Sequence, residues 1–219
     1  MRALTTGVIV TMLLLGVLSA ASGEGETGVD RVLAGVGEHY KDIQSLRCGF
    51  EQESHYPSGE TFVQKGTLEI KRPAMMRWDY AEPTARQFIS DGANLWVYHP
   101  DDKRAFLMKE LDTAAQARLF GFVIGLEDVR ADFDVTLQPD VATPDQIRLL
   151  LVPRQEMPGV RRVWVAVAAA DSTIIEVTIE DGIGTRTVTR MIDPVANPEL
   201  ADEHFSFTPP EGVEIMPYN

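Results

Sequence analysis

The sequence predicts a mainly β protein with helices, built on one continuous curved antiparallel sheet. Three observations predict it. Between Gly66 and Pro100, Leu68 and Ile70, then Met76, Trp78 and Tyr80, keep one parity, while Thr67, Glu69, Lys71, Arg77 and Asp79 keep the other. That is the period-2 signature of strands with one buried face. Short turns punctuate the alternation at Pro57-Ser58-Gly59, Asp91-Gly92 and Asp181-Gly182-Ile183-Gly184, the chemistry of tight antiparallel connections. No Pro/Gly/Ser-rich linker divides the chain, so both halves are expected in one sheet with helices against its hollow.

Taken in order, Met1-Arg2 precedes the apolar run Val8 to Leu18 and the small residues Ser19, Ala20 and Ala21. This pattern predicts a secretory signal peptide over 1–21 and a mature, soluble exported domain over 22–219; an uncleaved anchor is the alternative. The cleavage region has no Cys for lipid attachment. After a polar leader, Val29, Leu33, Val36 and Tyr40 recur at helical steps, giving an amphipathic helix. Gly35 and Gly37 weaken that helix, so packing on a sheet must hold it. No strand precedes this glycine pair and no GxxxxGK[ST] occurs, so it is no nucleotide loop.

Strands are expected at Ser45 to His55, Thr61 to Arg72, Ala74 to Ala81, Arg86 to Ser90 and Asn94 to His99, a meander that curls into a barrel or half-barrel. Phe50, Phe62, Leu68, Ile70, Met76 and Trp78 line its concave side, either as a solid core or as the wall of a cavity. Cys48 shares parity with Leu46 and Phe50 and reads as a small buried apolar residue. Arg72 occupies an inward position where the row predicts an aliphatic side chain. It either reaches water at the strand end or gives its donors to buried oxygens. From Leu111 to Leu126 the period becomes helical, with Asp112 as N-cap and Leu119, Phe122 and Val123 on the apolar face. Gly121 and Gly125 weaken it, which suits a movable lid as well as a fixed core helix. Strands resume at Asp132 to Gln138, Gln146 to Val152, Arg162 to Ala168, Ile174 to Glu180, Thr185 to Ile192 and Phe205 to Phe207.

Charge and motifs exclude several function classes. With 33 acidic against 20 basic residues and a net charge of -13, nucleic acid and anionic membrane surfaces are repelled. One Cys cannot form an internal disulfide. There is no G-x-S-x-G, no H-E-x-x-H and no Cys pair for a metal, and the four His are dispersed. Asp202-Glu203-His204 reads as a solvated acidic loop and Asp101-Asp102 as a turn. No catalytic residue, metal site or cofactor is expected.

The run GTLEIKRP from Gly66, Arg77-Trp78 just beyond it, then Ser90-Asp91-Gly92 and LWVYHP resemble the outer-membrane lipoprotein carrier family, LolA. A second stretch, HFSFTPPEGVEI from His204 to Ile215, resembles that family's closing segment. With the N-terminal helix and Cys48-Gly49-Phe50-Glu51-Gln52, the resemblance spans most of the mature chain; Asp112 to Thr185 matches only in pattern. It implies an incomplete, half-open β-barrel covered by an N-terminal helix and a central helical lid. It implies a monomeric, non-enzymatic periplasmic carrier without cofactor. Such a carrier receives acylated lipoproteins from an inner-membrane ATP-driven releasing complex and delivers them to an outer-membrane acceptor. The cavity residues it implies are Phe50, Phe62, Leu68, Ile70, Met76, Trp78, Leu119, Phe122 and Val123, with Arg72 as lid latch. Hiding one long acyl chain from water is worth roughly 10 kcal/mol at about 0.8 kcal/mol per methylene, which is why such a shuttle needs a cavity. Met76 departs from the aromatic that members often carry there and is expected to reshape the mouth. The alternatives are a related module that senses mislocalised lipoproteins or carries a glycolipid, a small hydrolase, and a transmembrane β-barrel. The sensors have a second domain, whereas this chain ends soon after Pro209-Pro210; a transmembrane barrel would show its apolar rows to lipid.

Overall fold

The structure, a computed structural model, describes residues 28–109, 126, 129–138 and 144–217. Helix α1 (Gly28–Tyr40) leads into β1 (Ser45–His55), β2 (Thr61–Lys71), β3 (Met75–Glu82), β4 (Arg86–Asp91), β5 (Leu95–His99) and β6 (Arg104–Met108). A short helix α2 (Val129–Asp132) precedes β7 (Phe133–Leu137), β8 (Gln146–Pro153), β9 (Arg162–Ala168), β10 (Ile174–Glu180) and β11 (Arg186–Ala196). A 3-10 turn (Asp202–Phe205) and β12 (Glu214–Pro217) follow. These strands form one sheet in the order β12-β6-β5-β4-β3-β2-β1-β11-β10-β9-β8-β7. Every pairing is antiparallel except β12 with β6. The outer strands β12 and β7 do not pair with one another, so the barrel is incomplete.

The β1 to β5 meander and the β7 to β11 run lie in one sheet because β1 pairs with β2 on one side and with β11 on the other. One face carries both apolar clusters. Under α1, Val36 and Tyr40 pack with Phe133, Leu149, Leu151, Val163, Val165, Val167, Ile174 and Val177. Beyond β1, Leu46, Cys48, Phe50, Leu68, Ile70, Met76 and Tyr80 form the second cluster, and Met191 touches both. Packing does hold the glycine-weakened helix: the Tyr40 hydroxyl accepts from the Ile174 N–H at 3.1 Å.

The opposite face is a charge ladder. Lys65 pairs with Glu51 at 2.7 Å, Arg190 with Glu53 at 2.9 Å and with Glu176 at 3.2 Å, and Arg148 with Glu176 at 3.2 Å. Near β4 to β6 that face is covered by the C-terminal segment, with Phe207 against Trp96 and Tyr98 at ring separations of 5.4 and 5.1 Å. Phe205 is buried.

Two expectations need correction, and one strand has no counterpart among the expected ones. Strand β6 carries no sequence signal because Ala105, Phe106, Leu107 and Met108 show no alternation: its outward side is also covered, leaving Ala105 fully buried. Phe205 to Phe207 forms no strand; Phe205 ends the 3-10 turn, and the closing strand is Glu214–Pro217. Asp202-Glu203-His204 is more than a solvated loop. Asp202 pairs with Lys71 at 2.5 Å, and His204 bonds Glu69, whose other oxygen meets Arg47 at 2.5 Å. The signal-peptide region and the 111–125 part of the lid segment lie outside the described residues. Leu126 is described, buried in the α1 cluster.

Candidate binding face of the sheet

The strand register gathers the inward rows into one apolar wall. Leu46, Cys48 and Phe50 on β1 stand opposite Ile70, Leu68 and Gly66 on β2, which stand opposite Met76, Trp78 and Tyr80 on β3. Trp78 and Tyr80 in turn face Phe88 and Arg86 on β4. Gly66 lets β2 and β3 come this close. A Cβ there would lie 1.9 Å from the Asp79 carbonyl oxygen and 2.9 Å from the Phe50 ring.

Of the residues expected to line a cavity, Phe50, Leu68, Ile70 and Met76 form the buried floor, each no more than 3 % exposed. Met76 belongs to this buried cluster. Trp78 is half-buried above this floor. Phe62 shares the inward parity, opposite Ser54, but lies near the far end of β2 and is 41 % exposed. Leu119, Phe122 and Val123 lie outside the described residues.

Residues not singled out from the sequence complete the wall. Phe50 meets Trp78 and Tyr80 edge-on at 5.5 and 4.9 Å, Trp78 stacks on Tyr80 at 5.7 Å, and Tyr80 meets Phe88 at 5.8 Å. The Arg86 guanidinium lies 4.6 Å from the Tyr80 ring centre and 4.9 Å from that of Phe88, a cation–π arrangement. Beside this wall the same face turns polar. The Tyr80 hydroxyl donates to Gln52 Oε1 at 3.1 Å, and Gln52 Nε2 donates to Thr189 Oγ1 at 3.0 Å. Ser54 and Thr187 share a bond of 3.3 Å, and Gln64 is buried alongside. Parity with Phe50 was the available signal for Gln52 and Ser54. Phe88 and Arg86 needed the register across the β3–β4 turn, which no sequence period supplies.

Two donors on this face, Trp78 Nε1 and Arg86 Nε, are buried with no hydrogen-bond partner. Burial raises the Tyr80 phenol above its ordinary pKa despite the Arg86 charge beside it. Burial also pushes the Cys48 thiol up to about 11, so this cysteine is an inert core residue. Arg72 is half-buried where β2 ends. Its Nε donates to the Ile43 carbonyl at 2.9 Å and its N–H to that of Gln44 at 2.8 Å. Asn197 Oδ1 holds the same α1–β1 connection by accepting from the Gln44 N–H at 2.7 Å.

A hollow of about 630 Å³ on the opposite face is lined by Arg148, Trp164, Glu176, Arg186 and Arg190 among others. Its ion pairs make it a poor host for hydrocarbon. Among the described residues no group of three His, Cys, Asp or Glu side chains could hold a metal, and no helix is long and apolar enough to cross a membrane.

Residues 41–208 match the family described as outer membrane lipoprotein carrier protein LolA. The chain belongs to that family. An outer-membrane lipoprotein carrier protein of Alkalilimnicola ehrlichii is 31 % identical over 186 residues, covering 84 % of this chain and 82 % of that one. The Hahella chejuensis protein of the same description is 25 % identical, covering 95 % and 97 %. Among solved structures, an uncharacterized conserved protein from Thermus thermophilus shares the fold at a TM-score of 0.56 and 9 % identity, covering 88 % of this chain and all of that one. LolA membership fits an open sheet with one apolar and one charged face.

Proposed function

We propose that this LolA-family chain is a periplasmic carrier of lipoproteins. It holds their acyl chains against the aromatic wall and shuttles them from the inner to the outer membrane. The carrying observation is that wall, Phe50, Trp78, Tyr80 and Phe88 over a floor of Leu68, Ile70 and Met76, in a chain whose relatives are described as lipoprotein carriers. Acyl chains gain about 25 cal/mol per Å² of apolar surface removed from water. The carrier needs no chemistry of its own. Export by a cleaved 1–21 signal peptide places it in the periplasm. An inner-membrane ATP-driven complex loads it and an outer-membrane acceptor unloads it. Leu119, Phe122 and Val123 close over the cargo, and Arg72 latches that lid in the empty state.

The test is to incubate the purified mature protein with matched peptides, one N-terminally acylated and one not, and to measure binding by gel filtration. Retention of the acylated peptide alone is expected. Equal retention of both, or of neither, overturns the reading. Co-purification of glycolipid in place of acylated polypeptide from the native periplasm would shift it to glycolipid transport.

A further inference from the structure

The aromatic wall contains an unexplained feature. An acyl-binding wall needs only apolar surface, yet Trp78 Nε1 and Arg86 Nε are buried there without a hydrogen-bond partner. Buried donors are nearly always paired, and an unpaired one forfeits its hydration with nothing in return. Both flank the same ring: Trp78 stacks on Tyr80 at 5.7 Å and the Arg86 guanidinium lies 4.6 Å from its centre. Beside that ring the face changes from aliphatic to polar, through Gln52, Thr189, Ser54 and Thr187. Hydrocarbon gains nothing from either donor.

Resting on the carrier reading, we infer that Trp78, Tyr80 and Arg86 form a carbonyl-accepting subsite whose two N–H donors take carbonyl oxygens at the heads of bound acyl chains. Every acyl chain ends in a carbonyl, whether ester- or amide-linked, and a carbonyl oxygen has two lone pairs for N–H donors. The apolar floor of Leu46, Cys48, Leu68, Ile70 and Met76 lies on one side of Tyr80 and Gln52, Gln64 and Thr189 on the other. A chain laid with its tail over that floor therefore brings its head to the two free N–H groups. The polar strip continues beyond it for the linkage and first peptide groups. The subsite fixes which way round the chain lies, which a purely apolar hollow cannot do.

The experiment measures displacement of an apolar fluorescent dye from the mature protein by dioctanoylglycerol, by its bis-ether and by its bis-amide, with identical chains on the same skeleton. The bis-ether lacks carbonyls. The parent should bind the ester or the amide about tenfold more tightly than the ether, as expected for two bonds of ordinary net strength; whichever binds tighter names the preferred linkage. Trp78→Phe and Arg86→Met should each lose much of that preference, read as the ratio of ester or amide to ether affinity within each variant. Equal binding of all three probes by the parent overturns the subsite and leaves the carrier reading intact. A preference that survives in both variants overturns the assignment to these residues. Binding of none overturns the carrier reading and the subsite with it.

Discussion

Gly66 shows how one residue sets the geometry of the wall. The Asp79 carbonyl occupies the space its Cβ would need, and the β2–β3 register shifts between Lys65 and Gly66. Gly66→Ala must push two backbones apart in mid-sheet, so it should destabilise the protein by about 2–4 kcal/mol, read as a shift in urea midpoint. A parental midpoint would show that the strands yield freely. Arg72 is the second decisive residue. The sequence left open whether it reaches water or buried oxygens, and its bond to the Ile43 carbonyl at 2.9 Å answers for one donor. Arg72→Leu should therefore cost about 1 kcal/mol of stability through that bond alone. If Arg72 is also the lid latch, the variant should load lipoprotein at least as well as the parent yet transfer it more slowly to acceptor-bearing membranes. Transfer at the parental rate, measured beside the amount loaded, would reduce Arg72 to a pin of the α1–β1 connection.

At the scale of elements, the C-terminal segment is clamped through its 3-10 turn to the charged face of β2. Glu69 is the centre of that clamp, bonded by His204 and Arg47. Burial acts to raise its pKa, but the bonds from His204 and Arg47 outweigh it and hold the carboxyl below its ordinary value. The sign follows from that depression. Its stabilisation is present above the unfolded-state pKa and is lost as pH falls through the lower folded value. Glu69→Gln should thus lower stability by about 1 kcal/mol near neutral pH, discounted for the exposure of both partners. The gap to the parent should close as pH falls through that lowered folded-state value. Thermal melts across that range check it, and a constant gap would show that the carboxylate charge is not what clamps. No local pattern signals this clamp, because Glu69 and His204 are far apart in the chain and each looks like a solvated charge. Strands with one wet face were legible: β1, β9 and β10 fall where alternation puts them. Strand β6 was not, because both its faces are covered, and Phe205 and Phe207 mimicked alternation while anchoring a turn. In the candidate site, parity found Phe50, Leu68, Ile70 and Trp78, but Phe88 and Arg86 depend on cross-strand register.

The whole molecule separates two surfaces of opposite character. One sheet carries an apolar face, filled by α1 at the β7 to β10 end and aromatic beyond β1, and a face of cross-strand ion pairs. β7 and β12 stay unpaired with one another, so the sheet remains open between them. Net charge then bears on where cargo can go. At -13 the protein is repelled by anionic bilayers over a Debye length of about 30 Å at 0.01 M salt, shrinking to about 8 Å at 0.15 M. A carrier that lost its acyl cargo to whichever membrane it met would be useless, and this repulsion slows such encounters. Transfer of a fluorescent acyl probe from the loaded protein to vesicles should therefore be slower to anionic than to neutral ones at low salt. The two rates should converge as salt rises. If the rates are equal at both salt concentrations, the probe escapes through water before any encounter and the charge plays no part in retention. If transfer to anionic vesicles is faster, a local basic surface overrides the net charge, and Arg148, Arg186 and Arg190 on the ion-paired face are the residues to replace first.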